Sequence, residues 1–193
     1  MTLAARRAAQ AVVVLTVSGL MPVAAGAAGP LRYVIDPAAS EIRFKATSRL
    51  MDADGTFHRF SGEVVADPGK LATARLTITV AAASIDTGIR MRDSHLRSDD
   101  FLDVERHPAI RFESVRVEPR GGHLTVVGNL SMRGVTREIA VPVEAEVGER
   151  TLIARGEFVL NRRDYGVSYQ SRLNPIADAV RVGFSIRARP AGP

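Results

Sequence analysis

A chain of 193 residues with no cysteine is long enough for one domain with a real core, and it excludes disulfides, thiol chemistry and cysteine-ligated metal. Its 26 basic and 21 acidic residues leave a formal charge of +5. The arginines alternate with acids along extended stretches instead of forming blocks beside stacking aromatics, which argues against nucleic-acid binding.

At the start of the chain, Arg6 and Arg7 precede an apolar run from Ala8 to Leu20 and then the small-x-small sequence Ala25-Gly26-Ala27, the layout of a secretory signal peptide. The run falls short of the roughly 20 apolar residues that span a bilayer. Ala8-Ala9-Gln10 lacks the apolar pair that usually follows twin arginines, so the general secretory route is expected; with no cysteine, a lipoprotein is excluded. Residues 1–27 are therefore read as a signal peptide and 28–193 as a single exported, periplasmic domain.

From there the chain alternates like sheet. Over Glu41 to Leu50, Ile42, Phe44, Ala46, Ser48 and Leu50 share one face and Arg43, Lys45, Thr47 and Arg49 the other. A polar turn with Asp54-Gly55 follows, then a strand from Phe57 to Ala66 closed by Asp67-Pro68-Gly69-Lys70, and another from Ala74 to Ala82 with Leu76, Ile78 and Val80 on one side. Ser84 to Ser114 breaks the pattern. Asp86 and Thr87 are cap-type residues, and Asp93 precedes Arg97 by four, so a short helix is expected from about Gly88 to Arg97, with a second turn carrying Phe101 and Leu102. His107-Pro108 returns the chain to extended form.

In the next strand Ile110 and Phe112 lie on one parity, Val115 and Val117 on the other, which predicts a bulge near Ser114. Strands over Leu124–Met132, 139–147, 152–160 and 180–186 follow, turned by Gly121-Gly122, Arg133-Gly134 and Gly148-Glu149-Arg150. A polar stretch from Asn161 to Ala179 is expected to cross one end of the sheet. Eight or nine strands joined mostly by hairpins describe an all-β fold, a single antiparallel barrel with one short helical insert. A two-sheet sandwich is the alternative; one large curved sheet accounts more simply for charges on one face of nearly every strand.

No catalytic constellation stands out. His58, His95, His107 and His123 have no metal-binding spacing. Asp93, His95 and Ser98 lie too close on one helix to converge on a reacting atom. The insert's acids, Asp86, Asp93, Asp99, Asp100 and Asp103, do not follow a calcium loop and are interleaved with arginines. No cofactor or metal is expected. The interior remains: Ile42, Phe44, Leu50, Leu76, Ile78, Phe112, Val141, Phe158 and Phe184, interrupted by Ala46, Gly62, Ala154 and Gly156. With no tryptophan and seven phenylalanines in the chain, such an interior points to a cavity for an apolar guest.

Several motifs then converge. Asp36-Pro37, Ser40-x-Ile42-x-Phe44, Gly55-x-Phe57-x-x-Phe60-x-Gly62, Ser84-Ile85-Asp86-Thr87, Arg92-Asp93-x-His95-Leu96-x-Ser98-x-Asp100-Phe101-Leu102-Asp103, Pro108-x-Ile110-x-Phe112-x-Ser114 and Gly134-Val135-Thr136 resemble the YceI-like polyisoprenoid-binding family over nearly the whole mature chain. Many members carry a histidine after the S-x-x-x-F strand, where Ser48 stands here. The resemblance implies an exported lipocalin-like barrel that binds an isoprenoid or other long amphiphilic chain without catalysis. Phe44, Ala46, Ser48, Leu50, Phe57, Ile78, Phe101, Phe112, Phe158 and Phe184 are then the expected ligand contacts, with Met91, Arg92, His95 and Arg163 toward the mouth and the polar head. The implied partners are an isoprenoid or fatty lipid and, transiently, a membrane protein; oligomeric state is open, a homodimer being one option. The rival functions are an enzyme acting on prenyl lipids and a structural protein of the envelope stress response.

Overall fold

The computed structural model describes residues 29–192; the signal-peptide reading of residues 1–27 lies outside them. The strands are β1 (Leu31–Ile35), β2 (Glu41–Ser48), β3 (Ala53–Phe57), β4 (Phe60–Ala66), β5 (Arg75–Ala81), β6 (Ile85–Asp86), β7 (Ala109–Arg120), β8 (His123–Met132), β9 (Val135–Gly148), β10 (Thr151–Asn161) and β11 (Ile176–Pro190), with one helix, α1 (Arg90–Arg97). Strands β1-β4-β5-β7-β8-β9-β10-β11 form an antiparallel ring that closes where β11 pairs with β1.

The three remaining strands are continuations. β1 and β2 both pair with β11, at Tyr33↔Pro190 and Phe44↔Val182, and are separated by a 3-10 turn at Pro37–Ala39. In the same way β3 prolongs β4 and β6 prolongs β5: the β2–β3 ladder (Phe44↔Gly55) carries on from β1–β4 (Tyr33↔Val64), and β3–β6 (Phe57↔Ile85) from β4–β5 (Phe60↔Val80). The barrel is thus eight-stranded, with three of its members bent in the middle.

These bends account for the differences from the sequence reading. Asp54-Gly55 is not a turn but part of β3, paired with Lys45 and Phe44; the turn lies at residues 49–52. The single strand expected from Phe57 to Ala66 breaks at His58-Arg59, and the short β1 was not anticipated. The bulge is where alternation places it. Ser114 pairs with Gly128 and Arg116 with Val127, so Val115 is the extra residue and faces outward, while the Ser114 hydroxyl accepts the Leu76 N–H at 2.9 Å.

The two ends of the barrel differ. At the β1 end the core is solid: Tyr33 is wholly buried against the cluster containing Ala66, Leu152 and Ala188, and its hydroxyl donates to the Gly148 carbonyl at 2.9 Å. Toward α1 the inward residues of β2, β10 and β11, such as Phe44, Phe158 and Phe184, are only half-buried. What they retain is surface facing the lumen. The outer face carries exposed pairs such as Arg32–Glu63 at 3.3 Å and Arg181–Glu157 at 2.8 Å, each contributing on the order of 0–1 kcal/mol.

Candidate functional site

The lumen holds a cavity of about 270 Å³ lined by 31 residues from β1 to β11, α1 and the segments around it. Only one of them is polar, Arg162. Of the residues expected to touch a ligand, Phe44, Ala46, Phe57, Ile78, Phe101, Phe112, Phe158 and Phe184 line it.

The phenylalanines leave the lumen open because the wall opposite them lacks side chains. The Phe184 ring lies over Gly156, its cross-strand partner; Phe44 lies over Gly55 in the same relation, and Phe112 over Gly128 on the neighbouring strand. A Cβ on any of these glycines would come within 2.6–2.7 Å of the ring above it. Glycine therefore lets three rings fold flat against the wall.

The other six candidates do not face the lumen. β2 ends at Ser48, so the period-2 rule that placed Ser48 and Leu50 inside stops there. The Ser48 hydroxyl donates to the Met51 carbonyl, and Leu50 is 71% exposed with its N–H on Asn174 Oδ1 at 2.8 Å. On α1 the lining residue is Leu96; Met91 sits roughly 140° round the helix from it and is 83% exposed. Arg92 donates to Thr87 Oγ1 (2.8 Å), the Thr87 carbonyl (3.0 Å) and the Asp52 carbonyl (3.1 Å). His95 shares a hydrogen bond with Asp100 at 3.0 Å and meets Phe101 and Tyr169 edge-on, with ring centroids 4.9 and 4.8 Å apart. Arg163 is held outside by Asp178 at 2.7 Å.

The insert is pinned across the barrel by cations rather than capped as the sequence proposed. α1 begins at Arg90, with Ile89 at its cap position and no side-chain cap. The Asp93 carboxylate turns back to accept from the Thr87 N–H (2.9 Å) and hydroxyl (2.5 Å), so it does not pair with Arg97. Arg97 instead donates to the carbonyls of Ala83 (2.9 Å) and Ile85 (2.5 Å). Arg133, at positive φ in the tight turn between β8 and β9, reaches the carbonyls of Asp99 and Phe101.

Arg162 is the site residue that sequence reasoning missed, although the inward parity of β10, Leu152, Ala154, Gly156, Phe158, Leu160, runs on to it. It is 4% exposed. Its Nε donates to the Ala177 carbonyl (3.1 Å), Nη1 to those of Val167 (2.7 Å) and Tyr169 (3.0 Å), and Nη2 to that of Ile176 (3.3 Å) and to Asp178 Oδ1 (3.0 Å). A guanidinium has five N–H donors, and all five are engaged. Burial pulls its pKa below the ordinary arginine value, with Asp178 opposing and Arg163 adding to the shift. Arg162 therefore ties the 166–175 loop to β11 and offers no donor to a guest. The cavity can accept hydrocarbon; a polar group placed in it would find no partner there and would cost about 1–3 kcal/mol.

Comparison with known proteins agrees with this geometry. The pattern of the YceI-like domain matches residues 33–188. A UPF0312 protein of Shewanella baltica is 39% identical over 134 residues, covering 67% of this chain and 68% of that protein. Among solved structures, Burkholderia cenocepacia BcnA superposes with a TM-score of 0.74 at 26% identity, covering 79% of this chain and 98% of that one. A polyisoprenoid binding domain from Saccharophagus degradans shares the fold, with a TM-score of 0.68 at 16% identity over 83% of this chain and 99% of that one. The match spans nearly every strand of the barrel and the pinned insert, and the chain belongs to the YceI-like domain family.

Proposed function

We propose that the protein is an exported, non-enzymatic carrier that holds the hydrocarbon chain of an isoprenoid or fatty lipid in its lumen and leaves the polar end outside. The observation that carries this reading is the lining itself: a hollow interior whose single polar residue, Arg162, has no free hydrogen-bond donor. The Saccharophagus domain of the same fold is described as polyisoprenoid binding, which favours a branched prenyl chain. The signal-type sequence of residues 1–27 supports a periplasmic location. No head-group contact by Arg92, His95 or Arg163 enters the proposal, because each is committed to the protein's own groups.

Burying about ten methylenes at roughly 0.8 kcal/mol each yields about 8 kcal/mol, from which association takes at least about 4 kcal/mol. At most about 4 kcal/mol is then left, so affinity for a chain of that length is millimolar or weaker; a longer chain binds more tightly and still exchanges. The test is displacement of a fluorescent fatty-acid probe by prenyl alcohols of increasing length. Displacement is expected to strengthen with length, and Ala154→Trp, which fills the lumen from β10, to weaken probe binding about ten-fold or more. A probe that binds the tryptophan variant as well as the wild type would place its site outside the lumen and overturn the reading.

A further inference from the structure

We infer that the barrel rim around α1 is a docking surface for an anionic phospholipid bilayer. Four large apolar side chains stand out from this rim: Leu50 (71% exposed), Met51 (63%), Met91 (83%) and Leu173 (83%). They belong to three segments, the 49–52 turn, α1 and the 166–175 loop, which hydrogen bonds join into one surface. The Leu50 N–H donates to Asn174 Oδ1 (2.8 Å), the Arg49 N–H to the Pro175 carbonyl (3.1 Å), and Arg92 Nη1 to the Asp52 carbonyl (3.1 Å).

The same segments carry the exposed Arg49, Arg90 and Arg172, none of which pairs with a carboxylate among the described residues. The nearby acids are largely spoken for. Asp52 meets Lys45, Asp86 meets His58, Asp93 is buried on Thr87, Asp100 meets His95, Asp103 meets Arg106, and Asp178 holds Arg162 and Arg163, leaving Asp99, Glu105 and Asp164 as the exposed carboxylates of the insert and loop with no cationic partner among the described residues. Three free guanidinium groups between four apolar tips suit a lipid surface: the tips enter the acyl boundary while the arginines stay level with the phosphates. The tips rise from three separate segments and not from one continuous apolar stripe, which suits insertion into a lipid surface better than seating a helix or strand of a protein partner.

The cavity reaches this end of the barrel. Ala46 lies on β2 just short of the turn, Leu96 is on α1, Val167 is in the loop and Ile176 directly follows it; all four line the lumen. A chain leaving a bilayer between these tips would reach the lumen without crossing bulk water. That consequence rests on the carrier reading; the docking does not.

The test is flotation of the purified protein with vesicles of phosphatidylcholine alone and of phosphatidylcholine mixed with phosphatidylglycerol, at low and high salt. The protein is expected to float with the anionic vesicles at low salt and about ten-fold less with neutral ones. Leu50→Asp with Leu173→Asp, and separately Arg49→Glu with Arg172→Glu, are expected to abolish flotation while the urea midpoint stays put, since all four side chains are exposed. Failure to float with either vesicle, or flotation unchanged by both double substitutions, overturns the inference. So does a change confined to sedimentation in solution, which would assign the rim to contact between copies of this chain.

Discussion

At the scale of single residues, Tyr165 is the buried group with the least local support. It is 2% exposed, packed against Leu130 and Met132, and its hydroxyl has no hydrogen-bond partner among the described residues. A buried hydroxyl without a partner costs about 1–3 kcal/mol. Tyr165→Phe should therefore raise the unfolding free energy by up to that amount, seen as a higher urea midpoint, where most aromatic core substitutions lower it. Burial, with Asp164 adding, pushes the phenol above its ordinary pKa. A folded-state pKa above the unfolded one gives stability that is full below about pH 10 and lost as pH rises through the raised value. The alkaline loss of stability should thus be shallower in the phenylalanine variant, as urea titrations above and below pH 10 would show. Tyr165 was not legible in the sequence, because N-R-R-D-Y reads as a polar loop and nothing in it says that the chain turns inward; Arg162 had one signal, the inward parity of β10 running on to it, which its charge outweighed. The glycines under Phe44, Phe112 and Phe184 were half legible: alternation put Gly156 and Phe184 inside, but pairing them requires the β10–β11 register.

At the scale of elements, the insert shows what sequence rules can and cannot reach. The pattern places α1 and the turn after it, because its spacing is helical and His107-Pro108 ends it. Its fastening was misread, since Asp86, Thr87 and the Asp93/Arg97 spacing follow rules for an isolated helix. Here the nearest groups are the free carbonyls where β5 bends into β6, and Arg97 takes those of Ala83 and Ile85. Hydrogen bonds from a charged donor contribute about 1.5–3 kcal/mol. Arg97→Ala should therefore leave the barrel intact and loosen the insert. By hydrogen exchange, the α1 amides are expected to exchange about ten-fold faster or more, with those of β8, β9 and β10 unchanged. Equal protection of α1 in both proteins would mean that apolar packing by Leu96 and Phe101 holds the helix by itself. The same distinction explains β3: Asp54-Gly55 has turn composition, yet Gly55 is kept in a strand because it gives room to the Phe44 ring.

At the scale of the whole molecule, period-2 alternation was enough to read an antiparallel barrel, because one face of each strand must be apolar whether it meets packed core or the lumen. That is also why Leu50 was assigned inside. Alternation cannot say where a strand stops, nor that the β1 end is filled by Tyr33 while the α1 end is hollow. The central claim is that this hollow takes a hydrocarbon chain. Its most direct test is mass spectrometry of lipids extracted from the full-length protein expressed with its own N-terminal segment and purified natively from the cell envelope. A prenyl or acyl lipid at near one chain per protein, much reduced in Ala154→Trp, is the result predicted. Protein that is folded yet free of lipid, and that takes up no prenyl or acyl chain when these are supplied, would contradict it.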